Sequence, residues 1–500
     1  MGNPPAPPST PSLTAPPAGT AAETPPYRWR WAALFVILAA EVMDLLDAMV
    51  TNIAAPTMRA DLGGSGATIQ WLGAAYTLSM AVGLITGGRL GDIFGRKRMF
   101  LIGAVGFTIG SLLCAVAQSP EMLIGARVLQ GLFGAVMLPQ GLGMIKELFP
   151  PKEMQTAFGM FGPIMGLSAV GGPILAGWLV DADYFGTGWR MIFLINLPLG
   201  LAALLAGLRF LPESRSPHPL KLDIPGVALA SVGGFLAIYP LVQGRENDWP
   251  AWAFVMLAAS VVVFGFFGWF EARRSRRGGD PLIVPSLFRK RAFTGGLLTG
   301  MVFFSGMAGM MLALNLYTQI GLGYSTLKAG LAMVPMSAGM IVGFGIAQAV
   351  QKFGRKVLHA GVLLMTLGVL GLLYTVSVTG MHVTPWQLAP GLVVGGIGMG
   401  LLMAPFFDIV LAGVEQHETG SASGTLTAVQ QLGNAFGVAL LGTVFFDVLG
   451  NVPTPDGFGD AMKITLWVVA GMLLLTFAVA FLLPRHAREE VEEGAETVAA

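Results

Sequence analysis

A bundle of about fourteen membrane-spanning α-helices is the fold this sequence predicts, and three observations carry that reading. Hydrophobic residues make up 54% of the 500 residues, charged residues 11%, and mean hydropathy is +0.69. Soluble domains carry about 25% charged residues, and a soluble chain of this length would need a charged surface that this one lacks. Apolar runs of about twenty residues, enough to cross the hydrocarbon core as a helix, alternate with short polar joints along the chain. Lysine and arginine then gather in alternate joints. The 69 glycines suit closely packed membrane helices. A net charge of +1 gives no reason to expect a nucleic-acid partner. The single cysteine, Cys114, can form neither an internal disulfide nor a CxxC metal site.

Residues 1–26 are rich in Pro, Ala, Ser and Thr and cannot bury enough apolar surface to fold, which predicts a disordered tail. The tail has no short apolar stretch with a cleavage site, so no secretory signal is expected. The predicted spans follow at 31–53, 69–88, 99–117, 122–145, 157–180 and 191–211. Two more lie at 224–242 and 251–270, and six at 292–314, 327–350, 357–378, 386–406, 424–448 and 464–483. This gives an N-terminal six-helix bundle over 27–212, two extra helices over 213–272, a C-terminal six-helix bundle over 273–484 and a cytoplasmic tail over 485–500.

Loop charge orients the bundle. If the N-terminus is cytoplasmic, the inner joints receive Arg89, Arg96, Lys97, Arg98, Lys146, Lys152, Arg209, Arg215, Lys221, Lys352, Arg355 and Lys356. The joint after the eighth span is the most basic, with Arg273, Arg274, Arg276, Arg277, Arg289, Lys290 and Arg291. It serves as a topology anchor and also suits contact with anionic lipid. The tail adds Arg485 and Arg488, whereas the outer joints hold Arg59, Arg190, Arg245, Lys328 and Lys463. This asymmetry predicts that both termini are cytoplasmic, consistent with an even number of spans.

The first span, WAALFVILAAEVMDLLDAMVTNIAAP, carries Glu41, Asp44 and Asp47. An acid at the bilayer centre costs about 2.5–3.5 kcal/mol on the insertion scale. Steps of three residues keep the three acids within one sector of a helix. That sector is expected to face protein or water and not lipid, which makes the acids candidate proton carriers. Asp47 is the foremost candidate, with Asp44 and Glu41 modulating it. Tyr76, Gln140, Asn315, Gln319, Gln430 and Asn434 are polar candidates for a substrate cavity, and each also suits interhelical packing.

A weak internal repeat joins the two halves. GRLGDIFGRKR follows the second span, and AQAVQKFGRKV follows the tenth, so Phe-Gly-Arg-Lys recurs at the same place. Repeated halves around a central site are a common transporter design. The first copy resembles the loop between the second and third helices of the major facilitator superfamily. Gly88 and Gly91 are expected to allow close helix approach there. Asp92 with Arg96–Arg98 should make charge-assisted bonds across the cytoplasmic gap, and Gly95, Arg96 and Lys97 belong to the same gate.

Further motifs are similar to those of the fourteen-helix drug:proton antiporters, the QacA/EmrB-like branch. LDAMVTNIAAP holds Asp47, Asn52 and Pro56 at that branch's first-helix positions. Arg127-Val-Leu-Gln-Gly131 resembles the RxxQG element, and the resemblance implies a proton-coupling role for Arg127. Gly172-Pro173-Ile-Leu-Ala-Gly177 is similar to GPxxGG with one glycine replaced by Ala176, implying a bending or sealing helix. Trp189-Arg190 with Asn196-Leu-Pro198-Leu-Gly200 resembles that branch's sixth helix. Leu316 to Ser325 with Ala329, Gly330 and Pro335, and Ala422 to Gly424 with Gln430 to Asn434, resemble its second half.

The resemblance implies a major facilitator fold and a monomeric, multi-pass cell-membrane exporter. It would move a lipophilic, cationic small molecule by alternating access, driven by protons with no bound cofactor or metal and surrounded by membrane lipids. Two alternatives stay open: a proton-coupled uptake symporter of the same fold, and a dedicated exporter of one self-made metabolite. An enzyme is not expected, since the five histidines are scattered and no HExxH, GxSxG or P-loop pattern occurs.

Overall fold

The computed structural model describes residues 27–485 apart from 151–152, 154–155, 158–159, 217–220, 412–413, 416–417 and 451–453. The predicted tails 1–26 and 486–500, with Arg488, lie outside the described residues, as does Lys152. Among the described residues the structure is helical, with no strand. The N-terminal helices are α1 (Arg30–Leu62), α2 (Gly66–Phe94), α3 (Arg96–Ala115), α4 (Pro120–Leu148), α5 (Phe161–Asp181) and α6 (Asn196–Phe210). The next two are α7 (Ile224–Gln243) and α8 (Ala251–Arg276). The last six are α9 (Arg291–Leu316), α10 (Thr326–Ala349), α11 (Arg355–Thr379), α12 (Pro385–Leu411), α13 (Thr419–Leu449) and α14 (Pro455–Val479). Among the described residues, twelve stretches are long and apolar enough to cross a membrane. α1 falls outside that set because its acids interrupt its apolar run.

Local chemistry sets several helix starts. The hydroxyls of Ser119, Ser325 and Thr454 accept from Met122, Lys328 and Gly457 backbone N–H groups, and the Asp223 carboxylate accepts from Gly226. Each cap satisfies an N–H that has no partner in the first turn. The helices overrun the predicted spans, as in α2, because hydrogen bonding continues past the hydrocarbon layer. The predicted sixth span runs through Met191–Leu194 and α6 with Ile195 between them in helical geometry (φ −63°, ψ −25°). Pro198 has no N–H for the carbonyl four residues back, so the helix lacks one bond at that point.

The Phe-Gly-Arg-Lys repeat is structurally equivalent in the two halves. Gly95 (φ 107°) links α2 to α3 and Gly354 (φ 52°) links α10 to α11, both in the left-handed region that favours glycine. The next N–H in each copy donates to the chain just past its half's last helix: Arg96 to Ser214 O at 2.9 Å, and Arg355 to Arg485 O at 3.0 Å. Side chains repeat the contact. Lys97 Nζ donates to Leu208 O, and Arg355 Nη1 donates to Phe481 O and Leu483 O.

Helices α1–α6 pack on one another, and so do α9–α14. The halves meet chiefly along α2 against α13 and α5 against α10. The extra pair packs together, with Ser260 Oγ donating to Gly233 O at 2.8 Å, and α7 rests on both α2 and α13. α8 turns apolar side chains outward, Val261 and Val262 being 74% and 70% exposed, as a lipid-facing helix does.

Candidate functional site

Asp47 faces the interior of the N-terminal half. It lies on α1, 3% exposed, and the guanidinium of Arg127 from α4 pairs with its Oδ2. Its Oδ1 accepts from Gln130 Nε2 at 2.9 Å and from Asn196 Nδ2 at 2.8 Å. Those two amides also donate to Ser111 Oγ, at 2.8 and 3.2 Å. Four helices, α1, α3, α4 and α6, therefore contribute to one buried polar network. Arg127 Nη1 also donates to Gln130 Oε1 at 2.6 Å, its Nε donates to Leu72 O, and the ring of Tyr76 lies 4.0 Å from the guanidinium carbon. A buried ion pair persists only when its remaining donors and acceptors find partners; here both Asp47 oxygens and the Nε and Nη1 of Arg127 have them.

Asp44, one turn before Asp47, is also buried and accepts from the Tyr76 hydroxyl. Glu41 is half-buried and makes no hydrogen bond or ion pair with a described residue. The three acids thus differ: Asp47 has a cation, Asp44 has a hydroxyl, and Glu41 has neither. Ser111 carried no signal in the sequence. Gln130 was legible only as the fourth residue of RxxQG, three positions from Arg127 and so on the same helix face.

The gate loop differs from its expected geometry. Arg96 bonds Asp92 at 2.9 Å, Gly143 O at 3.0 Å and Glu147. All three partners belong to the N-terminal half, on α2 and α4, so these bonds do not cross between the halves as expected. The close approach of α2 to α4 rests on Gly87 and Gly91 and not on Gly88. A Cβ on Gly87 would strike the Ala135 carbonyl and one on Gly91 the Gln140 amide, whereas Gly88 has ordinary clearance, 3.7 Å to Pro139. Gly91 meets the expectation of close approach and Gly88 does not.

Direct hydrogen bonds between helices α1–α6 and helices α9–α14, among the described residues, lie at mid-span or at the end away from this loop. Asn315 Nδ2 donates to Asn52 O, and Gln319 Nε2 to Ile53 O at 2.5 Å. Thr57 and Thr326 hydroxyls lie 3.4 Å apart, and Leu327 N donates to Asp181 at 3.0 Å. Gln70 Nε2 reaches Ala439 O at 2.8 Å, and Gln431 reaches Met80 near mid-span. Glycine lets α5 and α10 touch backbone to backbone: a Cβ on Gly177 would strike Leu327, and one on Gly330 the Pro173 carbonyl. Gly172 instead faces Met49 of α1 at 3.2 Å. The far end is sealed by these contacts.

The residues expected around a substrate are mostly spent elsewhere. Tyr76 belongs to the charged site. Gln140 donates to Gly87 O and Val136 O, holding α2 to α4. Asn315 and Gln319 sit in the far-end seal. Asn434 donates to Gln431 at 2.9 Å, and Gln430 is half-buried. A cleft of about 790 Å³ opens between α2, α4 and α7, and none of these six residues lines it.

Comparison with known proteins agrees with this architecture. A model described as Major Facilitator Superfamily matches residues 37–438. The probable actinorhodin transporter of Streptomyces coelicolor is 49% identical over 95% of each chain. The puromycin resistance protein of Streptomyces alboniger is 35% identical over 97% of each. The tetracenomycin C resistance and export protein of Streptomyces glaucescens is 32% identical, covering 86% of this chain and 78% of that one. Among solved structures, an auto-inhibited peptide transporter of the POT family superposes with a TM-score of 0.65 at 14% identity, covering 90% of this chain and 96% of that one, a likeness of fold alone. With its buried charge network inside two matching helical halves, the chain belongs to the Major Facilitator Superfamily and is a multi-pass transport protein of the cell membrane, not an enzyme.

Proposed function

We propose that this protein exports lipophilic antibiotics in exchange for protons, and that the buried Asp47–Arg127 pair is the switch. The pair is the observation that carries the reading. A charge held in a dry site is balanced only while its partner stays in place, so a proton that neutralises Asp47 frees Arg127 and changes which arrangement of the halves is favoured. Asp44 and Glu41 lie on the same face and would relay or tune that proton. With no cation paired to either of them, they also favour a cationic substrate. The proton gradient is the only drive, no bound cofactor is needed, and the monomer is the working unit, with no nucleic-acid partner.

Loop charge supports placing the Arg96 loop and both termini in the cytoplasm. On that placement the structure is sealed on the outer side, the state that would receive substrate from the cell. The names of the relatives support export and not uptake, and the 49% identity to a transporter named for one antibiotic favours a dedicated exporter as the second reading. The test is uptake into inside-out vesicles under an imposed ΔpH, using actinorhodin, puromycin, tetracenomycin C and a quaternary lipophilic cation. Proton-driven accumulation is expected. Flux in the opposite direction would establish a symporter, and accumulation of one compound alone would favour the dedicated exporter.

Gly330→Val tests the seal. Its side chain would meet the Pro173 carbonyl, so the outer end could not close. Transport should be lost while helical content, read by circular dichroism, stays unchanged.

A further inference from the structure

A second buried charge cluster lies at the Arg96-loop end of the molecule, where the extra pair α7–α8 meets α2. Arg89, on the last turns of α2, is 6% exposed and donates to backbone carbonyls: Lys221 O at 2.7 Å, Leu282 O at 3.2 Å, and Pro281 O. It therefore holds the segments flanking both extra helices. Asp223, 1% exposed, caps α7 through Gly226 N at 2.9 Å and accepts from Leu282 N at 3.1 Å. Arg274 of α8 lies 3.4 Å from its Oδ2. Glu271 of α8, 3% exposed, accepts from Ile283 N at 3.3 Å.

The other oxygen of Glu271, Oε1, is buried without a hydrogen-bond partner. It lies beside the Asp223 carboxyl: a Cβ built on Gly226 would lie 2.5 Å from Glu271 Oε1 and 2.9 Å from Asp223 Oδ2, so both oxygens crowd one spot, and the two side chains interact directly. Two ionised carboxylates so placed repel, and neither can donate a hydrogen bond. One proton between them removes the repulsion and satisfies the orphan oxygen. Charge gives the same count. The groups that face one another here are the guanidiniums of Arg89 and Arg274 and the carboxyls of Asp223, Glu271 and Asp280, so the cluster is neutral with one proton bound.

We propose that Glu271 and Asp223 share one proton and form a second proton-binding site, separate from Asp47, that fastens the α7–α8 pair to the end of α2. Loss of that proton as pH rises leaves a net negative charge and two opposed carboxylates in a dry site, so the fastening weakens. On the topology proposed above the site faces the cytoplasm. The extra pair would then report cytoplasmic pH to α2, which packs against α13 across the two halves.

Infrared spectroscopy of the purified full-length protein over a pH series tests this without transport. A protonated-carboxyl band should be present in the wild type and in Asp47→Asn. The Glu271 component of that band, read in difference spectra against the wild type so that Glu41 and Asp44 cancel, should be lost in Glu271→Gln and in Glu271→Asp, which keeps the acid but withdraws it from Asp223. Amide hydrogen exchange at Leu282 and Ile283, corrected for intrinsic pH dependence, should quicken as pH rises in the wild type and stay level in Glu271→Gln. Identical carboxyl bands in the wild type and both Glu271 variants would overturn the proposal, as would pH-independent protection in the wild type. A failure of Asp47→Asn to affect transport would count against the coupling role of Asp47 and leave this result untouched.

Discussion

With Asp47 replaced by Asn, ΔpH-driven antibiotic transport in proteoliposomes falls to the leak of protein-free vesicles. Asn keeps an oxygen for Gln130 and Asn196, but it presents an amide to Arg127 where the carboxylate was. The guanidinium is then buried with no anion. Removing one partner of a buried pair costs about 3–5 kcal/mol, so Asp47→Asn alone should also lower thermal stability. The double variant Asp47→Asn with Arg127→Gln removes both charges. It should regain most of that stability and still fail to couple transport to ΔpH. That separation distinguishes a switch from a structural pair. If the double variant transports in response to ΔpH, the pair has no coupling role.

A disulfide between Cys at positions 57 and 326 stops transport, and reduction restores it. The native hydroxyls lie 3.4 Å apart across the α1–α10 contact. The bond would hold the outer end shut, and alternating access needs that end to open once per cycle. Cys114, the only native cysteine, is fully buried and hydrogen-bonded toward Gln130, so it does not compete for the cross-link. Transport that continues in the oxidised protein would mean that the seal between the halves does not open during turnover.

The helical layout was readable along the chain because spanning a bilayer imposes length and composition locally, on each helix separately. The repeat was readable for a similar reason. Gly95 and Gly354 each meet a backbone requirement that only glycine meets easily, and the flanking Arg and Lys mark the same joint. The burial of Asp47 also followed from local cost, since a carboxylate cannot face acyl chains cheaply.

What the sequence could not supply was partner choice. Arg96 could have bonded either half, and only packing directs it to Glu147 and Gly143 on α4. Asn315 and Gln319 had the composition of cavity residues, and the α1–α9 contact spends them on Asn52 and Ile53 carbonyls. Gly87 and Gly88 are identical in one dimension; the rotation of α2 against α4 decides that only Gly87 must lack a Cβ. Ser111 entered the Asp47 network for the same reason. The chain by itself determined a membrane-spanning bundle of repeated halves with an acid inside, because lipid tests every residue of a span. The tertiary structure alone decided which groups meet that acid and which end is sealed, because those contacts join residues as many as 369 positions apart and depend on how helices rotate and cross.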